Sequence, residues 1–235
     1  MKKITLFFLS ALAAHLSYGQ KTEVSVHLTS GAAAFRGASA ASNATLVQPP
    51  AAGVRPYTSN AYGRRPAFSY GVAGQVQRVT ADNTLLGVQA GYEVLRSRVQ
   101  ITSVLDRNGT DIKADGHTTL ANYGLNAHPF FGHRFDLGDI ALDLTAGPEM
   151  GLVLRSYEQG SAVSGKGVSY SADQDLSRPT VDARGRLNLT AYYKQVGLSL
   201  GYSRGFTDYR GSQEGGMNGV YSQVFRAGLA LRLGL

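Results

Sequence analysis

The sequence predicts an all-β fold, an eight-stranded antiparallel up-and-down transmembrane β-barrel. Three observations predict it. Apolar residues recur at every second position over stretches longer than the strand of about 5–6 residues usual in soluble proteins. The opposite face of those stretches is glycine with scattered charge, not the Lys and Glu that soluble surfaces carry. The connections alternate long and short along the chain, as in barrels with tight periplasmic turns and longer extracellular loops.

The pattern is clearest over residues 120–154, which read as two long strands around the turn Asp136-Leu137-Gly138-Asp139. The second arm places Ile140, Leu142, Leu144, Ala146, Pro148, Met150, Leu152 and Leu154 on one face. Asp143, Thr145, Gly147, Glu149 and Gly151 fall on the other. The first arm sets Ala121, Tyr123, Leu125, Ala127, Pro129 and Phe131 against Asn122, Gly124, Asn126, His128 and Gly132. Successive side chains point to opposite faces of a strand, so one face meets lipid and the other fills a lumen. Pro129 and Pro148 interrupt this ladder, because proline has no N–H to donate, and each predicts a bulge or a missing hydrogen bond.

The other strands follow in order. The first covers residues 23–35, with Val24, Val26 and Leu28 alternating against Ser25, His27 and Thr29. Residues 37–66 are rich in Ala, Ser, Pro and Gly without a period and read as an irregular loop. Strands over 67–79 and 84–102 flank the short turn Thr80-Ala81-Asp82-Asn83. Residues 106–116 and 158–178 read as polar loops on either side of the central hairpin. Strand six covers 180–192, and a short turn at Tyr193-Lys194-Gln195 leads to strand seven. A glycine-rich loop over 208–219 precedes strand eight, which runs to the last residue with Phe225, Ala227, Leu229, Leu231 and Leu233 on one face. Tyr70, Tyr92, Tyr123 and Tyr202 fall toward the long loops and suit one aromatic girdle; Phe135 and Tyr193 suit the other.

Composition bounds the chemistry. The 235 residues include 29 Gly and neither Cys nor Trp, which excludes disulfides, thiol catalysis and a lipoprotein cysteine. The first 19 residues read as a cleaved export signal. Lys2 and Lys3 precede an apolar core from Ile4 to Ala14, and Ser17 and Gly19 place small residues before a cut ahead of Gln20. Residues 20–235 then form one barrel domain, with 21 basic against 16 acidic residues, a formal charge of +5. No Lys/Arg run or nucleic-acid motif accompanies that charge, so a nucleic-acid partner is not expected. No stretch reaches the ~18 apolar residues of a transmembrane helix, and only helices and closed barrels satisfy the backbone in lipid.

The run Ala146-Gly147-Pro148-Glu149-Met150-Gly151-Leu152 resembles the AGP-x-x-G-L motif of the bacterial outer-membrane β-barrel domain family that includes PorT-like proteins. The eight-strand layout resembles OmpA-type and OmpX-type barrels. The resemblance implies the outer membrane of a Gram-negative bacterium, with outer-membrane lipid and the outer-membrane assembly machinery as partners. Many such barrels end in Phe, whereas Leu235 stands here.

An eight-stranded barrel is just wide enough to be filled by side chains. The inward charges Glu93, Arg134, Asp143, Glu149, Arg184, Arg186, Arg226 and Arg232, with Glu23, Gln75 and Gln77, are therefore expected to form a structural ion-pair network. Arg96, Arg98 and Arg204 fall outward near the loop ends and are candidate contacts for lipopolysaccharide phosphates. No catalytic, cofactor or metal residues are expected. Gly160, Gly165, Lys166 and Gly167 lack the Ser/Thr and helix of a phosphate loop. Asp106, Asn108, Thr110 and Asp111 lack the sixth-position Gly and closing Glu of a calcium loop. His27, His117, His128 and His133 find no convincing Ser and carboxylate at one rim, so no enzyme is expected. The expected role is structural or surface-interactive, through an extracellular ligand at four long loops, without an open pore. Two alternatives stand beside it: a lipid-modifying barrel enzyme, and a soluble periplasmic lipocalin-like carrier whose apolar face would be hidden.

Overall fold

The computed structural model describes residues 21–51, 53–211 and 219–233. The expected leader, part of the glycine-rich loop and the last two residues lie outside the described residues. Among these, the regular elements are all strands: β1 (Lys21–Arg36), β2 (Asn43–Val47), β3 (Tyr57–Thr58), β4 (Arg65–Val79), β5 (Thr84–Leu105), β6 (Asp111–Leu137), β7 (Ile140–Ser164), β8 (Ser169–Asp175), β9 (Val181–Tyr193), β10 (Val196–Gly205) and β11 (Tyr221–Leu233).

Eight of them close a barrel. Antiparallel ladders run β1–β4–β5–β6–β7–β9–β10–β11, and β11 pairs back on β1 from Val24↔Leu233 to Arg36↔Tyr221. The short connections are two-residue or four-residue turns. Gly138 and Lys194 adopt positive φ at two of them and Asn83 at the third, which matches strand twist across a tight hairpin.

The period of two sorts the wall as expected. Leu198, Phe131 and Leu200 are 67%, 65% and 63% exposed, while Glu149 is 0% exposed. An apolar face of this size exceeds what a soluble monomer presents. A lipocalin-like carrier needs the reverse arrangement. Upper outward rings sit at one level through the register Tyr202↔Phe225↔Ala32↔Phe68, and Tyr70 and Tyr123 both flank Val94. Gly87 makes room inside the wall. A Cβ there would lie 2.6 Å from the Phe130 ring, which is buried in the lumen.

The structure corrects the loops. Residues 37–66 are not wholly irregular: β2 pairs in parallel with β5 over Asn43↔Gln100 to Val47↔Leu105, and β3 pairs with β2. The segments 106–116 and 158–178 are largely strand, because β6 starts at Asp111, β7 continues to Ser164, and β8 pairs with β7. These parts form an extension beyond the barrel mouth with its polarity inverted. Its inside is dry, built on Leu46, Val99, Ile101, Val104, Ala114 and Ala162. Its outside carries Lys113, Asp115, Arg155 and Asp173. Above the apolar belt the outer face meets water and the inner face needs a core of its own. Two irregularities fall in this region, one between Ile101 and Ser103 of β5 and one on β7 opposite Tyr123/Gly124.

Candidate functional site

Two regions carry the polar chemistry, the lumen and the outward rim. The lumen holds charge in two layers. In the lower layer, Arg134 of β6 donates from Nε and Nη2 to Asp143 at 2.6 and 2.8 Å, and from Nη1 and Nη2 to Glu23 at 3.0 and 2.8 Å. Arg232 adds a second cation, 3.1 Å from Glu23 and stacked 3.8 Å over the Tyr192 ring. Gln77 donates to both carboxylates, and Gln75 and Gln89 extend that chain upward. Two carboxylates meet two guanidiniums.

The upper layer holds three of each. Glu93 accepts from Arg184 at 2.5 Å and Arg226 at 2.7 Å. Glu149 accepts from Ser203, Arg226, Asn126 and Arg186 at 2.7, 3.0, 3.1 and 3.3 Å. Asp182 lies 3.7 Å from Arg184 and accepts from Ser222 and from the Tyr209 hydroxyl. Every lumen residue named from the sequence lies in one of these layers. Charge buried this deeply persists only when compensated, and in each layer the carboxylates and guanidiniums are equal in number. Arg232 Nε and Nη2 and Arg184 Nε make ion pairs without a hydrogen bond, and Arg184 Nη1 has no hydrogen-bond partner among the described residues. Gly151 faces the Arg184 guanidinium so closely that a Cβ would lie 2.6 Å from Nη2.

An aromatic layer closes the mouth above. Phe35, Tyr62 and Tyr209 meet edge-on with centroids 5.2, 4.9 and 6.0 Å apart, packed with Leu120 and Val220. Tyr62 and Tyr209 come from loops, so sequence periodicity had no means of finding them. Periodicity also missed Glu158, fully buried on β7 beyond the slip, where it accepts from Thr58 N–H at 2.6 Å. Burial pushes its carboxyl above the usual range.

On the outward rim, Arg96 stacks 5.3 Å over Tyr70, and Arg98 stands opposite Arg65 in the β4–β5 ladder. Arg204 stands opposite Gln223, four strands away around the wall. The structure therefore separates Arg204 from the other two residues singled out. It also places Arg36 and Arg65 on the strands between them. Among the described residues, none of Arg36, Arg64, Arg65, Arg96, Arg98 and Arg204 has a carboxylate within 4.0 Å. No group of three or more His, Cys, Asp or Glu residues capable of holding a metal ion occurs among the described residues.

No family model and no curated protein matches the chain, so the likeness to PorT-like proteins gains no support from these comparisons. Solved structures that match include Ail, the attachment invasion locus protein of Yersinia pestis, at 12% identity and TM-score 0.38 over 91% of this chain and 99% of that one. The same protein in complex with the heparin analogue sucrose octasulfate matches at TM-score 0.37. The translocator domain of the autotransporter NalP from Neisseria meningitidis matches at 12% identity and TM-score 0.31, over 99% and 96% of the two chains. Likenesses this distant carry no ligand and no activity to this chain, whose barrel is read from its own ladders and exposed belt.

Proposed function

We propose that the chain is an integral outer-membrane barrel of a Gram-negative cell, exported by its leader, that acts structurally or as a surface-interaction scaffold and not as an open pore. One observation carries this reading: an exposed apolar wall surrounds a lumen filled by neutralised ion pairs and lidded by Phe35, Tyr62 and Tyr209. Such a lumen offers no water column, since an eight-stranded wall leaves space only for side chains. The extension built from β2, β3, β8 and the ends of β5, β6 and β7 supports a role in display beyond the membrane surface, where loops on a rigid scaffold carry recognition.

The test combines fractionation with conductance. The full chain should stay with the outer membrane through a carbonate wash and require detergent for release. Purified and inserted into planar bilayers, it should show no discrete conductance steps. Release without detergent overturns the membrane reading. Stable channel openings overturn the closed-lumen reading while leaving the membrane reading intact.

A further inference from the structure

Resting on the outer-membrane reading, we propose that the outward face from β9 across β10 and β11 to β1 is a seat for one phosphorylated, acylated glycolipid of the outer leaflet. A groove of about 590 Å³ runs along this face. Its walls include Leu187, Leu200, Tyr202 and Phe225, and its floor is lowered by the small side chains of Ala32 and Ala227. Such a dent in an otherwise bulky lipid-facing wall accepts a hydrocarbon chain laid along the strands.

A cationic cluster sits directly over the upper end. Gln223 lies two residues beyond Phe225 on β11, and Arg204 two beyond Tyr202 on β10, each about 6.7 Å further along its strand. The Gln223 amide donates to the Tyr202 hydroxyl at 3.0 Å and accepts from Arg36 Nε at 2.9 Å. Arg36 is further held by the Arg64 carbonyl at 2.7 Å. These partners are neutral, so they fix the guanidinium without cancelling its charge. Phe206, 68% exposed, follows two residues after Arg204 and adds an apolar ring to the same outward face.

Charge around the rim is lopsided in the same sense. Residues 37–66 contain Arg55, Arg64 and Arg65 and no Asp or Glu. On the far side, the outward carboxylates have partners: Asp175 pairs with Arg155, Asp115 accepts from Gln100, and Asp173 accepts from Tyr157. Arg36 and Arg204, with no carboxylate within 4.0 Å among the described residues, are thus open to an anion, and guanidinium groups read phosphate through paired N–H donors. A soluble anion has no use for the groove. A protein partner approaching from outside does not reach below the aromatic girdle. A phosphorylated glycolipid satisfies both halves of the seat.

The full chain, folded in nonionic detergent and checked for heat-modifiable migration, is titrated with bisphosphorylated lipid A and with its dephosphorylated counterpart. Bound lipid is counted by native mass spectrometry. One equivalent of the phosphorylated form should bind. Losing two charge-assisted contacts in the Arg36→Gln, Arg204→Gln double variant should weaken it about tenfold or more. Ala227→Phe, which fills the groove and leaves the arginines untouched, should weaken it about fivefold, on the order of one to two buried methylenes of contact. The Arg65→Gln, Arg98→Gln pair should cost less than about twofold, as expected for screened charges outside the contact. Equal losses from both arginine pairs overturn the seat in favour of diffuse attraction. Equal binding of the dephosphorylated lipid, an inert Ala227→Phe, or full competition by inorganic phosphate overturns it as well. Failure of the membrane reading shows itself earlier and differently, as a chain that needs no detergent and has no heat-modifiable form.

Discussion

Pro129 and Pro148 face each other across the β6–β7 ladder at a position where each would ordinarily give the other a hydrogen bond. The flanking pairs Ala127↔Met150 and Phe131↔Ala146 fix them as opposites. Arg134 N–H points to β5 and Val153 N–H points toward β9. Backbone groups alternate sides along a strand, so residues 129 and 148 direct theirs at one another. Both donors are absent, and the ladder is interrupted there. The His128 ring supplies a substitute, its Nδ1 lying 2.9 Å from the Pro148 carbonyl. A carbonyl only accepts, so Nδ1 carries the proton.

That substitution is testable by a double-mutant cycle. His128→Leu leaves the Pro148 carbonyl without a donor and should cost about 1–3 kcal/mol. Pro129→Ala restores a backbone N–H aimed at the same carbonyl. In that background His128→Leu should cost about 1 kcal/mol less, a coupling read from urea unfolding in detergent. Additive losses would show that the ring does not serve the carbonyl.

Glu149 is the acid on which three arginines of the upper layer converge. Glu149→Ala leaves three guanidiniums against Glu93 and Asp182, and removing one partner of a buried pair costs about 3–5 kcal/mol. Arg186 has its only ion pair among the described residues with Glu149. Adding Arg186→Met to Glu149→Ala should therefore recover much of the loss, because the layer is again neutral. The readout is the temperature at which heat-modifiable gel migration is lost. No change for Glu149→Ala would refute a structural role for the network.

Gly87 stands where β4, β5 and the Phe130 ring converge. A Cβ there would sit 2.5 Å from the Val76 carbonyl oxygen and 2.6 Å from the ring. Gly87→Val should cost about 1–3 kcal/mol through overpacking. Phe130→Ala in the same chain removes the ring but not the Val76 backbone, so it should relieve only part of that loss. Complete relief would mean that the backbone contact is unimportant.

The wall strands were legible because a period of two persists where one face meets lipid and the other a polar lumen. The lumen charges were legible for the same reason, since parity alone puts Glu93, Glu149 and Arg226 inside. The extension was not legible, because its meaning of inside reverses. Val99, Ile101 and Val104 are apolar and inward, whereas Val88 and Tyr92 lower on the same strand are apolar and outward. The slips near Thr102 and Leu154 then shift parity, so the inward positions beyond them, such as Val104 on β5 and Glu158 on β7, fall out of step with the strands below. The mouth layer needs Tyr62 and Tyr209 from loops with no period to meet Phe35 and Leu120 of the strands, and the two clusters of rim arginines are distinguished by register, which a linear pattern does not contain.

Beyond the belt, two carboxylates should pull the extramembrane part in opposite directions with pH. Glu158 is buried, its Oε2 lacks a hydrogen-bond partner, and burial holds its pKa above the usual carboxylate range. The folded extension then binds a proton more tightly than the unfolded chain, and stability is greatest below the ordinary glutamate pKa and falls as pH rises through the folded value. Asp208 is the reverse case. Burial works against its ionisation, but N–H groups of Val220, Arg210 and Gly219 at 3.0, 3.0 and 2.7 Å outweigh it and hold its pKa down. Its contribution is present above the ordinary aspartate pKa and is lost as pH falls through the folded value. Amide exchange should therefore show Thr58 better protected at mildly acidic than at neutral pH, and Gly219 and Val220 less protected as the solution becomes strongly acidic. Glu158→Gln keeps an acceptor for Thr58 N–H and removes the charge, so Thr58 protection should become independent of pH across that window. Persistence of the pH dependence in Glu158→Gln would assign it to another group and exclude Glu158 as its source.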